Sequence, residues 1–89
     1  MKYTPDFSDE IKRKLKKLKK KDINQLHIIE KKMEEILENP HAFKPLKWPM
    51  VHKRRVQIGH FVLTYSIYEN EKAVKFLDYE HHDKAYKMS

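Results

Sequence analysis

At 89 residues the chain has room for one domain and no second. Lys and Arg outnumber Asp and Glu by 20 to 13, so a polyanionic partner is expected: nucleic acid, an anionic membrane surface or an acidic protein. The sign of the charge does not choose among these. The absence of cysteine removes disulfide frameworks and thiolate chemistry. Met1-Lys2-Tyr3-Thr4-Pro5 carries no apolar run of the kind a signal peptide needs, and no window approaches a membrane-spanning length of apolar residues. A cytoplasmic protein with no membrane association is therefore expected. A domain of this size buries roughly 60–65% of its surface, so stability is shared with a partner or rests on well-ordered helices.

Tyr3-Thr4-Pro5 reads as a short edge strand, where proline is tolerated. Ser8 is placed to cap a helix, with Asp9 and Glu10 complementing its dipole. Phe7, Ile11, Leu15 and Leu18 recur on one helical face, opposite Lys12, Lys14, Lys16, Lys17, Lys19, Lys20 and Lys21. Asp22 begins a second helix, with Gln25 completing a capping box. Its apolar stripe is Ile23, Leu26, Ile29, Met33, Ile36 and Leu37, and Asn39-Pro40 ends it. The two helices should form an antiparallel hairpin.

From Arg54 the period becomes alternating. Val56, Ile58, Phe61, Leu63, Tyr65 and Ile67 share a face if Gly59-His60 is a two-residue turn, and the only glycine sits there, where a type II′ turn needs positive φ. Arg55, Gln57, Val62, Thr64, Ser66 and Tyr68 then face water. Glu69 to Lys72 makes a second turn, and Ala73 to Tyr79 a third strand whose phase breaks between Phe76 and Leu77, the mark of a bulge. Glu80 to Tyr86 is a polar tail with one helical turn. The fold class is α+β: an N-terminal strand, a helix hairpin, a three-stranded antiparallel meander and a short tail, spanning residues 1–89 as one domain.

Two groups of residues could carry chemistry. Lys44, Lys47, His52, Lys53, Arg54 and Arg55 surround Trp48. Cations interleaved with an aromatic suit an RNA surface, where bases stack and ammonium or guanidinium groups meet phosphates. The plainer alternative is a basic loop with Trp48 plugging the edge of the core. His81 and His82, with Tyr86 four residues beyond His82, form the second group. Imidazoles titrate near neutrality and can exchange protons with a ribose hydroxyl or a leaving oxygen, although exposed histidine pairs are also common. The lysine run of the first helix reads as a solvated face that can add nonspecific phosphate attraction. His52, His60, His81 and His82 lack a metal-binding spacing, and no phosphate-cradling glycine loop or serine nucleophile with a neighbouring base is present. No metal or cofactor is expected. The remaining repertoire suits RNA cleavage in which the substrate's own 2′-hydroxyl attacks.

Arg54-Arg55-Val56-Gln57-Ile58-Gly59-His60-Phe61-Val62-Leu63-Thr64-Tyr65 is similar to the segment Y-R-V-R-V-G-D-Y-R-V-I-Y of the RelE/ParE toxin superfamily. Phe76 to Tyr86 resembles its closing strand and tail, and Pro45-Leu46-Lys47 falls where a P-L-x-G loop is common. The resemblance runs the whole length, to RelE-like toxins of archaeal or thermophile type. It implies a RelE-like fold and the toxin of a toxin–antitoxin module, with a small acidic RelB-like antitoxin as partner in a hetero-oligomeric complex. For RelE-like members it also implies ribosome-dependent endonucleolytic cleavage of mRNA, leaving a 2′,3′-cyclic phosphate. By position Arg55 matches the first motif arginine, His82 the tail arginine, and Tyr86 the terminal aromatic that stacks on or orients the base. Lys44, Lys47 and Lys53 stand where relatives place phosphate-contacting or proton-transferring cations. Two positions depart: the second motif arginine is Gln57, and the phosphate-stabilising arginine after the turn is Val62, which cannot bind the phosphorane charge.

The reading is thus a toxin with metal-free endoribonuclease activity toward mRNA on the ribosome. His81, His82, Tyr86, Arg55 and Lys53 are the catalytic candidates, and Lys44, Lys47, Trp48, His52 and Arg54 the RNA-binding ones. The alternatives are a ParE-like gyrase inhibitor without nuclease activity and a non-catalytic RNA-binding module.

Overall fold

A computed structural model describes residues 2–43 and 53–83. It comprises β1 (Thr4–Phe7), α1 (Asp9–Lys21), α2 (Ile23–Glu38), a short 3-10 turn (Pro40–Ala42), β2 (Lys53–Ile58), β3 (Phe61–Tyr68) and β4 (Ala73–His81). No helix among the described residues is long and apolar enough to cross a membrane.

The helix boundaries follow from side-chain caps. The Ser8 hydroxyl accepts the Ile11 amide at 3.1 Å. Asp22 ends one helix and starts the next: its amide donates to the Leu18 carbonyl at 2.7 Å, while its carboxylate accepts from the Gln25 amide at 3.1 Å. The return half of the expected capping box is not made. The Gln25 side chain instead donates to the Tyr79 hydroxyl at 2.7 Å, because a buried phenol oxygen needs a partner more than an exposed cap amide does.

The sheet order is β1-β4-β3-β2, with β1 parallel to β4 and the other pairings antiparallel. The edge strand expected near the N-terminus is present, shifted to Thr4–Phe7. Gly59 has φ +62 in the β2–β3 turn, and a Cβ there would meet nothing within 4 Å, so backbone conformation alone demands glycine. Thr64 pairs with Asp78 and Tyr65 with Phe76, leaving Leu77 as the extra residue of the expected bulge.

Beyond Phe7 no strand among the described residues pairs with that edge of β4, and Ser8, the cap of α1, and Lys14 within it take up its carbonyls instead. The Ser8 amide donates to the Phe76 carbonyl at 3.0 Å, the Ser8 hydroxyl to Leu77 at 2.5 Å, and the Lys14 ammonium to Tyr79 at 3.0 Å. An exposed ladder edge is thereby closed without adding a strand.

The core packs Ile11, Ile29, Met33, Ile36 and Leu37 from the helices against Ile58, Leu63, Tyr65, Val74, Phe76 and Tyr79 from the sheet. Ile23, counted in the apolar stripe, is 44% exposed at the start of α2. The far sheet face is less wet than its sequence suggests, since Val62 and Ser66 are each only 2% exposed. Both are short side chains on an inner strand between longer neighbours: Gln57 and Glu80 flank Val62, and Lys53 and Lys75 flank Ser66.

Lys14 also departs from its expected place on the solvated face. It is half-buried and holds Asp78 at 2.7 Å together with Glu80. Partial burial pulls its pKa down, but the hydrogen bonds and charges of the two carboxylates outweigh this, leaving it above the ordinary lysine value. Burial also pushes the Tyr65 hydroxyl, which donates to the Pro40 carbonyl at 2.7 Å, up to about 12. Both raised values stabilise the protonated fold, so their contributions are complete below the unfolded pKa and are lost as pH rises through the folded one. Unfolding free energy should therefore fall above about pH 10. Lys14→Met should cost about 1–2 kcal/mol at neutral pH and flatten that alkaline decline. Urea titrations at pH 8 and pH 11 measure both.

Candidate functional site

The β2–β3 turn and the end of β4 meet at one end of the sheet. Phe61 opens β3 opposite His81, which closes β4. This brings together residues far apart in sequence. The Phe61 ring stacks on Tyr79 at 4.8 Å and meets His81 edge-on at 5.4 Å. The His60 and His81 rings lie nearly parallel, with centroids 6.3 Å apart and planes 10° from each other. The His82 amide donates to the His60 carbonyl at 2.7 Å, fixing the start of the following helical turn against the β2–β3 turn.

Asp83 organises the histidines further. Its amide donates to His81 Nδ1 at 3.3 Å, and its carboxylate lies 3.8 Å from His81 Nδ1 and 3.5 Å from His82 Nδ1. Beside this cluster is an open cleft of about 330 Å³, lined by Lys14, Lys17, Lys21, Phe61, Glu80 and His81 among others. Lys14 is neutralised by its carboxylates. Lys17 and Lys21 are exposed and have no carboxylate at ion-pair distance among the described residues. An aromatic floor, imidazoles and unpaired ammonium groups can together bind a phosphodiester and move protons on it.

The strand cations divide between the two faces. Arg55 pairs with Thr64 and Lys53 with Ser66, on the face away from the helices. Arg54 shares the phase of Val56 and Ile58, and its guanidinium donates to the carbonyls of His41 and Phe43, bracing the turn after α2. Arg55 sits three residues along β3 from the Phe61–His81 rung, about 10 Å, so the histidines and the strand cations form two neighbouring groups rather than one. Lys44, Lys47, Trp48, His52 and Tyr86 lie outside the described residues.

Three residues beside these groups are not among the sequence candidates. His60 and Asp83 belong to the histidine cluster, and Lys75 lies across Ser66 from Lys53 on the outer face. Strand alternation could have flagged Arg54 as facing the helices and Lys75 as facing away. The meeting of His60 with His81 depends on the β3–β4 register, which a bulge resets.

The family described as ParE toxin of type II toxin–antitoxin system, parDE, matches residues 2–86. The chain belongs to this family. It is 54% identical over 85 residues to an uncharacterized protein of Methanosarcina mazei, covering 94% of this chain and 99% of that one. It is 43% identical over 86 residues to a Methanocaldococcus jannaschii protein named "Putative toxin RelE4", covering 96% and 92%. A chain in the crystal structure of the toxin–antitoxin complex RelBE2 from Mycobacterium tuberculosis superposes with a TM-score of 0.74 at 24% identity, covering 91% of this chain and 99% of that one. The RelE/ParE resemblance carried by the strand and tail motifs thus holds, as does the α+β, RelE-like fold.

Proposed function

We propose that this toxin cleaves mRNA on the ribosome through the 2′-hydroxyl of the nucleotide 5′ to the break. The observation that carries the reading is the packing of His81 and His82 against the β2–β3 turn, beside a cleft lined by the exposed Lys17 and Lys21. In this chemistry a base removes the 2′ proton, the 2′ oxygen bonds to phosphorus, the bond to the 5′ oxygen breaks, and an acid protonates that oxygen. The products are a 2′,3′-cyclic phosphate and a 5′-hydroxyl. Imidazoles supply the proton transfers. Lys53 and Arg55 on the outer face hold phosphates of the same strand, and Tyr86 steadies a base.

The partner in this reading is an acidic RelB-like antitoxin, as the complexed state of the M. tuberculosis relative suggests and the formal charge of +7 favours. Expressed alone, the toxin should halt amino-acid incorporation before DNA synthesis, and co-expression with its antitoxin should restore growth. The buried Val62 favours a second reading, because an aliphatic side chain stands where a phosphate-binding arginine is expected. A gyrase-inhibiting toxin needs no such arginine, and it would halt DNA synthesis first.

The outer-face cations give a separate expectation. Neutralising Lys53 and Arg55 together should weaken ribosome or RNA binding and lower the slope of log affinity against log salt by roughly 1–2. Affinities measured across a salt series check this.

A further inference from the structure

We propose that His60 is a catalytic residue, paired with His81 as the second proton-transfer group of the site. The inference rests on the nuclease reading above. In-line displacement at phosphorus places the attacking 2′ oxygen and the departing 5′ oxygen on opposite sides of the phosphate. Two proton carriers are then needed, one for each oxygen, and one imidazole cannot attend both ends at once.

His81 and His82 are adjacent in the chain and share one anchor, the Asp83 carboxylate, 3.8 and 3.5 Å from their Nδ1 atoms. The ring that lies parallel to His81 belongs instead to His60 on the neighbouring hairpin, with centroids 6.3 Å apart and planes 10° from each other. Hydrophobic packing would bury both rings. Here both residues are exposed.

The arrangement of the two rings is also held in place. The His60 backbone is tied by its carbonyl to the His82 amide at 2.7 Å, so the turn cannot swing away from the end of β4. Gly59, at φ +62, sets the tight turn that presents His60 at its tip. His81 is oriented from behind through Nδ1 by the Asp83 amide at 3.3 Å. Phe61, edge-on to His81 at 5.4 Å, forms an apolar wall beside that ring. Lys17 and Lys21 on α1 supply positive charge at the neighbouring cleft. A phosphodiester drawn to the exposed edges of the two rings would meet the in-plane nitrogens of two different imidazoles.

The test compares wild type, His60→Asn and His60→Gln on programmed ribosomes under single-turnover conditions. Two messages are used, one normal and one with a 5′-bridging sulfur at the cut site. Sulfur leaves without protonation, so it relieves the need for a general acid alone. Both variants should cut the normal message at least about a hundredfold more slowly, with ribosome affinity and melting temperature unchanged. Near-complete recovery on the sulfur message assigns His60 to the leaving oxygen, and persistence of the defect assigns it to the 2′-hydroxyl. Either supports the proposal. Cleavage within threefold of wild type by either folded variant overturns it, as does a rate loss matched by an equal loss of binding. If wild type itself leaves the normal message intact, it is the nuclease reading that fails.

Discussion

Replacing His81 and His82 together by Ala is expected to slow single-turnover mRNA cleavage by at least about a hundredfold while leaving ribosome binding nearly unchanged. General acid–base groups contribute on the order of 10²–10⁴ in rate, and the double replacement removes imidazoles from the end of β4 without touching the strand cations. The fold should tolerate the change. Both side chains are substantially exposed at 46% and 43%, and the bond that ties this segment to the hairpin uses the His82 amide, which alanine retains. Tyr86→Ala should also slow cleavage by loosening the base, and Tyr86→Phe should do so less if stacking is its main role. A double histidine variant that cleaves at the wild-type rate would sink this mechanism and the pairing of His60 with His81, and leave other groups, lysine and arginine among them, to carry the chemistry.

The largest expected effect on stability is at Phe76. Its side chain is fully buried at the centre of the core, stacked on Phe7 at 5.5 Å and tilted against Tyr65 at 6.3 Å. The same residue's carbonyl receives the Ser8 amide that starts α1. Phe76→Ala should cost about 3–5 kcal/mol, combining lost transfer energy with the cavity left behind. That is a large share of the roughly 5–15 kcal/mol available to a domain. Phe76→Leu, which keeps most of the volume, should cost less than half as much. Urea unfolding of the two variants separates cavity formation from a specific aromatic requirement, since equal losses would point to the ring contacts with Phe7 and Tyr65.

Much of this architecture was legible in the sequence because it is written in local chemistry. Ser8 and Asp22 mark helix starts through side-chain oxygens that accept amide bonds, and Gly59 marks a turn through its positive φ. The phase break at Phe76-Leu77 announces the bulge directly. What the sequence concealed depends on tertiary register. The parallel pairing of β1 with β4 joins segments about 70 residues apart, as in Thr4 with Ala73, and no short-range pattern encodes it. Lys14 looks like its lysine neighbours until β4 arrives with Asp78 and Glu80. Arg54 reads as one member of a basic run, yet its phase turns it toward the carbonyls of His41 and Phe43. Of the candidate site, the histidine tail was visible, but the ring that faces it was not, because His60 and His81 meet only when β3 and β4 are in register.

The most direct test of the central claim is to translate a defined message with purified ribosomes, with and without the toxin, and to map the ends by primer extension. The account predicts discrete cuts that require the ribosome and leave a 2′,3′-cyclic phosphate upstream of each break. An intact message, accompanied by inhibition of DNA supercoiling by gyrase, would contradict it.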